Sequence, residues 1–170
     1  HTSQTLPRVQ SSLQRDLDEI AKYGQEWAIQ FNETKTIQQS FSFKHHNTSP
    51  KLTFGGIPIP TTDTHKHLGL TLSKDLRFHE HVNDILNKAN KSLSPLYSIA
   101  QYLPRNTLDE IYKIYIRPYL DYCDTIYDGH MTIHDSARLE IFQNRAARLT
   151  TGTFFRTPSG KLRTELGWDK

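Results

Sequence analysis

The sequence predicts an α+β protein whose strands lie in its first half and whose second half is all helix. From Leu13 to Phe31 apolar residues recur at three- and four-residue spacing, the mark of an amphipathic helix. Between Thr36 and Leu72 short β-branched and aromatic runs alternate with Gly and Pro. From Phe78 onward the period is helical again and stays so. Such a switch of period marks a domain boundary. It falls near Lys74 to Arg77, which divides the chain into 1–74 and 75–170.

The elements follow in order. Leu13, Leu17, Ile20, Ala21, Gly24, Ala28 and Phe31 line one face of the first helix. Ser11 and Gln14 make a capping-box pattern at its start, and Asn32 is a stop. "TIQQSFSFK" reads as a strand with Ile37, Phe41 and Phe43 tending to one face. In "KLTFGGIPIP" two short apolar runs flank Gly55-Gly56, a hairpin signal. Pro58 and Pro60 make the returning strand an edge. "HKHLGLTL" reads as one strand with Leu68, Leu70 and Leu72 beneath and Gly69 and Thr71 above. Val82, Ile85, Leu86, Ala89, Leu93, Leu96, Ile99 and Leu103 form a long helical stripe that Pro95 should kink or break. Thr107 and Glu110 read as a second capping box. Leu108, Ile111, Tyr112, Tyr115 and Tyr119 carry the next helix, disturbed at Pro118. A last long helix runs from about His134 to Leu149, and "KLRTELGW" adds a turn or two, ended by Gly167.

Composition bounds the function. The chain has 170 residues, 35% of them hydrophobic, and a mean hydropathy of −0.66. No run of about 18 apolar residues is present, so no membrane helix is expected. "HTSQTLPRVQ" has no basic region followed by an apolar one, so no signal peptide is expected there. Cys123 is the single cysteine, which excludes an intrachain disulfide and favours a reducing, intracellular setting. Net charge is +3. Residues 36–77 and 129–170 each carry three more basic than acidic residues, while 1–35 and 78–128 are slightly acidic. Two basic stretches permit nucleic-acid contact.

Four histidines, His65, His67, His79 and His81, surround "LGLTL", but a structural zinc site leans on cysteine and no HExxH helix is present. Solvent-facing histidines are the expected outcome. Gly69 has no side chain, so a backbone or a ligand can approach closely there. Arg138, Arg145 and Arg148 fall within about 80° of one another on a helical wheel. They lie away from Leu139, Phe142 and Ala146, and such a row can contact phosphates. Lys88, Asn90 and Lys91 make a smaller basic spot. No Walker loop, GxSxG or dinucleotide fingerprint is present. The aspartates are scattered, and none pair in a way that indicates two-metal chemistry.

Longer stretches carry a resemblance. "HKHLGLTLSKDLRFHEHVNDILNKANKSL" resembles the segment after the catalytic palm motifs in reverse transcriptases of non-LTR retrotransposons, with its Leu-Gly strand and D-x-x-x-F-x-x-H stretch. Here these are Leu68-Gly69, Asp75, Phe78 and His81, with one residue fewer between Asp75 and Phe78 than in that pattern. "LPRNTLDEIYKIYIRPYLDYC" is similar to that family's Y-x-x-x-I-R-P-x-L-x-Y helix through Tyr112, Ile116, Arg117, Pro118, Leu120 and Tyr122. "LEIFQNRAARLTTG" and "WAIQFNETKT" resemble two further motifs, and the four occur in the family's order from about Leu13 to Trp168. The resemblance implies a partial polymerase palm, a helix plus antiparallel strands over 1–74, followed by an all-helical thumb bundle over 75–170.

It also implies roles. Lys35 would be the general acid on the pyrophosphate leaving group. His67, Leu68, Gly69 and Thr71 would form the primer grip, with His67 standing where the family has tyrosine. Lys88, Lys91, Arg138, Arg145 and Arg148 would contact the phosphates of an RNA/DNA template–primer duplex. The metal-binding aspartates of the family would lie upstream of His1. The chain then holds no metal ligands, Mg²⁺ belongs to the full-length enzyme, and the upstream palm and fingers of the same polypeptide are partners. The family's work at chromosomal targets implies cytoplasm and nucleus. Two function classes stand: a gripping segment of an RNA-directed DNA polymerase, and a non-enzymatic helical nucleic-acid- or protein-binding remnant of a retrotransposon.

Overall fold

A computed structural model describes residues 5–42, 49–153 and 157–168. In chain order the elements are α1 (Thr5–Glu26), a 3₁₀ turn (Glu33–Lys35), β1 (Thr53–Phe54), β2 (Ile57–Pro58), β3 (Thr64–His67), β4 (Leu70–Ser73) and α2 (His79–Ile99). There follow a 3₁₀ turn (Ala100–Tyr102), α3 (Arg105–Ile111), a π-helical turn (Tyr112–Ile116), α4 (Arg117–Asp121), α5 (Asp124–Tyr127), α6 (Ile133–Thr151) and α7 (Ser159–Leu166). The sheets are two antiparallel or hairpin pairs, β1-β2 and β3-β4. The α+β expectation holds at this level. The chain divides into two compact units: 1–66 with 73–75, and 67–72 with 76–170.

In the first unit α1 packs on the β1-β2 hairpin. The Gln14 side chain pairs with the backbone of Thr53 in both directions: its Nε2 donates to the Thr53 carbonyl, and its Oε1 accepts from the Thr53 N–H, each at 2.9 Å. A Cβ at Gly24 would stand 2.6 Å from the Phe31 ring, so only glycine lets that ring fold back against the helix. Phe31 then meets Phe54 edge-on at 5.5 Å. The hairpin turns through Gly55-Gly56 with both φ positive, as its sequence predicts.

Three expectations fail in this unit. Ser11 lies inside α1 and donates to the Arg8 carbonyl, so it caps nothing. The helix ends at Glu26 rather than near Asn32, closed by Ala28 in the left-handed region (φ 54) with the Ile29 N–H on the Gly24 carbonyl. The "TIQQSFSFK" run forms a lone bridge, Gln38 to Thr61, instead of a strand, and Phe43 lies outside the described residues. The α1 stripe is partly open: Leu13 and Ile20 are exposed, as are Tyr23 and Trp27 beside it, while Leu17 and Ala21 are half-buried and Gly24 is buried.

The second unit is a helical bundle around α2, which packs against α4, the π turn and α6. Val82, Leu86, Ala89, Leu93 and Leu96 of α2 meet Tyr112, Ile116, Leu120, Phe142 and Ala146 in the main core. The helix runs on through Pro95 without a break in assignment. Thr107 lies inside α3, whose N-cap is Pro104, so the second capping box is also absent. The side-chain cap that does form is Thr132, whose Oγ1 accepts from the Asp135 N–H at 3.1 Å.

From Leu108 to Leu120 the buried residues are Leu108, Tyr112, Ile116 and Leu120, while Tyr115 and Tyr119 face out. A strict spacing of four gains about 40° per step on an α-helix. The π turn, with its wider i→i+5 bonds, takes up that drift and keeps the four in line. It sits directly before Pro118, which has no N–H for the Ile114 carbonyl. α6 and α7 both close on a left-handed glycine, Gly152 (φ 65) and Gly167 (φ 64). After Gly167, Trp168 folds back, stacks on Tyr112 at 3.9 Å, and donates from Nε1 to Asp109 at 2.8 Å.

Trp168→Ala should destabilise the helical unit by about 3–5 kcal/mol. Trp168→Phe, which keeps the stacking, should cost about 1 kcal/mol for the lost hydrogen bond. Urea denaturation followed by circular dichroism measures both.

Candidate nucleic-acid interface

Sequence reasoning reads residues 67–72 as the middle of a strand; the structure makes them the tip of a hairpin. The chain reverses at Leu68 (φ 47) and Gly69 (φ 88) between β3 and β4. Positive φ at both central residues is what a tight two-residue hairpin demands, and a leucine there costs about 1–2 kcal/mol. The reversal breaks the strand's alternation. Leu68 is therefore 80% exposed rather than buried beside Leu70. Thr71, expected on the open face, is buried.

Side chains from α2, α5 and the turn between α4 and α5 hold this tip. The Tyr122 hydroxyl donates to the Leu68 carbonyl, and its ring lies where a Gly69 Cβ would come within 3.1 Å. The neighbouring Cys123 raises the Tyr122 phenol above its ordinary pKa. The Thr71 N–H donates to His81 Nδ1 at 3.3 Å, and Thr71 Oγ1 donates to Asp84 at 2.9 Å. His81 is buried edge-on to Tyr127, 5.0 Å between centroids. Leu70 enters a small core with Phe78, Ile85 and Tyr127. Thus Phe78 and His81 build the support of the turn, and of the four histidines around it His81 is no surface residue. What remains outside is His67, Leu68 and Gly69.

The arginine row makes hydrogen bonds within the bundle. α2 and α6 share a repeated contact: Arg138 Nη2 donates to Asn83 at 2.6 Å, and Arg145 Nη1 donates to Asn90 at 3.4 Å. Both pairs are 55 residues apart, so the two helices run parallel with a seven-residue repeat. Arg138 and Arg148 are half-buried, and Arg145 stays exposed. Arg148 donates to the carbonyls of Asn144 and Thr157. The row therefore braces the bundle, and Arg145 is its most exposed member. Lys88 and Lys91 are exposed on α2.

At the start of α6 lies a carboxylate that sequence reasoning missed. Asp135 is 0% exposed. It accepts from Thr132 Oγ1 (2.8 Å), Arg138 Nη1 (2.9 Å) and His79 Nδ1 (3.0 Å). Burial raises its pKa, but the three hydrogen bonds outweigh that and hold it below the usual carboxylate value. The signal was Thr132-x-x-Asp135, a cap pattern overlooked in favour of two that do not form.

Lys35 is exposed, in a turn organised by Asn32, whose Oδ1 accepts from Thr34 Oγ1 (2.7 Å) and the Lys35 N–H (3.2 Å). Among the described residues no three His, Cys, Asp or Glu side chains gather as a metal would need. Among them, too, no helix is long and apolar enough to cross a membrane.

The motif residues thus fall on the hairpin and its supports, the helical core, the α2–α6 seam and, in the first unit, the Asn32–Lys35 turn. Over 140 residues the chain is 27% identical to the probable RNA-directed DNA polymerase from transposon X-element of Drosophila melanogaster, covering 78% of this chain and 15% of that protein. Over 155 residues it is 24% identical to the RNA-directed DNA polymerase from mobile element jockey of the same organism, covering 88% and 16%. The chain has homologues among the reverse transcriptases of non-LTR retrotransposons. It spans about one sixth of the length of the relatives it matches. No protein-family profile matches it, and no solved structure does.

Asp135, depressed in the folded state, contributes stability that is present above the unfolded carboxylate pKa of about 4 and is lost as pH falls below it. Asp135→Asn should cost about 2 kcal/mol at neutral pH and flatten the loss of stability in acid. Thermal melts from pH 7 to pH 3 measure the difference.

Proposed function

We propose that the chain is the primer- and duplex-gripping part of an RNA-directed DNA polymerase, a nucleotidyltransferase segment. The single observation that carries the reading is the hairpin tip. A glycine turn stands exposed, while its Leu68 carbonyl accepts from the Tyr122 hydroxyl, its Thr71 N–H donates to His81 and the Thr71 hydroxyl donates to Asp84. A fixed, uncharged backbone loop can approach a sugar-phosphate chain closely without repelling it. The helical unit that carries the tip would serve as thumb, resting on the template–primer duplex through Lys88, Lys91 and Arg145.

The described residues do not fit a two-metal site, so no chemical step is assigned to them. Catalytic carboxylates and Mg²⁺ would come from the upstream palm and fingers. The partly open apolar stripe of α1 supports this partner, since an exposed stripe of that kind needs a cover. Lys35, in its Asn32-held turn, would reach the leaving pyrophosphate once that palm is assembled.

Fluorescence anisotropy with an RNA–DNA hybrid bearing a recessed 3′ end tests the reading. The chain should bind it and prefer it to the same hybrid capped by a hairpin loop. Leu68→Asp, which places a carboxylate at the tip, should lower affinity about tenfold and abolish that preference. Lys88→Gln with Lys91→Gln should reduce the slope of log affinity against log salt by about 2, roughly one per lost phosphate contact. No binding to either hybrid would overturn the proposal.

A further inference from the structure

The α2–α6 seam has a third rung that lacks its arginine. After Asn83–Arg138 and Asn90–Arg145, the next step of seven in each helix is Tyr97 and Gly152. Here α6 ends, and the seam opens into a cavity of about 760 Å³. Its floor is apolar, from Leu103, Leu108 and Leu149, and Tyr97 stands at its wall, 49% exposed. Among the described residues Arg105, Arg145 and Arg148 line it, with three threonines and no carboxylate.

The charge balance decides what it suits. The carbonyl ends of α2 and α6 are worth about −0.5 each at this end. Glu165, bonded to Arg105, removes one further positive charge. Three guanidinium groups exceed both, so the cavity stays positive. A positive rim over an apolar floor beside an open aromatic ring matches a phosphate joined to a flat, apolar-faced ring. Bases inside a duplex are stacked and cannot enter such a hollow, whereas an unpaired base can.

We infer that this cavity takes one unpaired nucleotide of a single-stranded RNA or DNA segment, with the base against Tyr97 and the phosphate on the arginines. The inference rests on the nucleic-acid reading above and adds a site for unpaired strand, away from the hairpin tip and sharing only Arg145 with the duplex contacts. Nothing in it requires the polymerase chemistry.

The test uses the whole chain with fluorescein-labelled oligouridine and, separately, a blunt RNA–DNA hybrid. Tyr97→Ala should weaken oligouridine binding at least about fivefold, the low end for losing one base–aromatic stack. It should leave hybrid affinity unchanged, and Tyr97→Phe should restore the single-strand affinity. In the wild-type chain, 4-thiouridine oligomers should photocrosslink to peptides containing Tyr97 or 149–153, a readout that needs no variant. Unchanged oligouridine binding by Tyr97→Ala, or crosslinks confined to other peptides, would overturn the inference and leave the hybrid-gripping proposal standing. Equal loss for oligouridine and hybrid would overturn it as well. A Tyr97-dependent grip on polyglutamate as tight as on oligouridine would assign the cavity to an acidic peptide instead. Failure of the wild-type chain to bind hybrid or oligouridine would overturn both readings.

Discussion

The hydrogen bonds that tie residues 68 and 71 to the bundle are the constraint on which the rest depends. A two-residue turn with leucine in the left-handed region is uphill by itself. It persists because Tyr122 takes up the Leu68 carbonyl and because His81 and Asp84 satisfy the buried backbone and hydroxyl of Thr71. An unpaired buried group would cost about 1–3 kcal/mol, comparable to the strain of the turn. Sequence distance makes the arrangement informative: Tyr122 lies 54 residues beyond Leu68. The hairpin tip can therefore be set only after the helices have found each other.

The same logic explains the π turn. Pro118 lies two residues before Leu120, which the core needs, and it cannot join an unbroken α-helix without stranding a carbonyl. Inserting one wide turn ahead of it keeps Tyr112, Ile116 and Leu120 pointing inward. The tyrosines left outside, Tyr115 and Tyr119, are the residues that a straight helix read from the sequence would have put inside.

Helices were legible wherever a stripe of apolar residues met one continuous neighbour, as along α2 and α6. The Gly55-Gly56 hairpin was legible because its turn chemistry is local. What the sequence could not show were outcomes decided at a distance. Ser11 and Thr107 have the side chains of caps, but the chain upstream of each was already helical. The Leu68 to Leu72 alternation read as a strand because leucine does not announce a turn; Tyr122 and His81, far along the chain, make the turn possible. At the candidate site Gly69 was found for a sound reason, its missing side chain, although that side is met by a tyrosine ring. The arginine row was found by its periodicity, but periodicity is blind to a neighbour, and Asn83 and Asn90 of α2 turn the row into a brace. Asp135 was overlooked because a lone aspartate signals nothing until His79 and Arg138 converge on it.

The parallel course of α2 and α6 has an electrical consequence. Two neighbouring helices pointing the same way add their dipoles rather than cancel them, about half a positive charge at each N-terminus. His79 opens α2, and the first turn of α6 holds Asp135, so the buried carboxylate lies at the shared positive pole. The bundle thus carries its own polarity, with the Asp135–Arg138 ion pair at one end and Arg105, Arg145 and Arg148 gathered at the other. Any polyanion that settles along it meets a graded field rather than a uniform surface, and so has a preferred direction in which to lie.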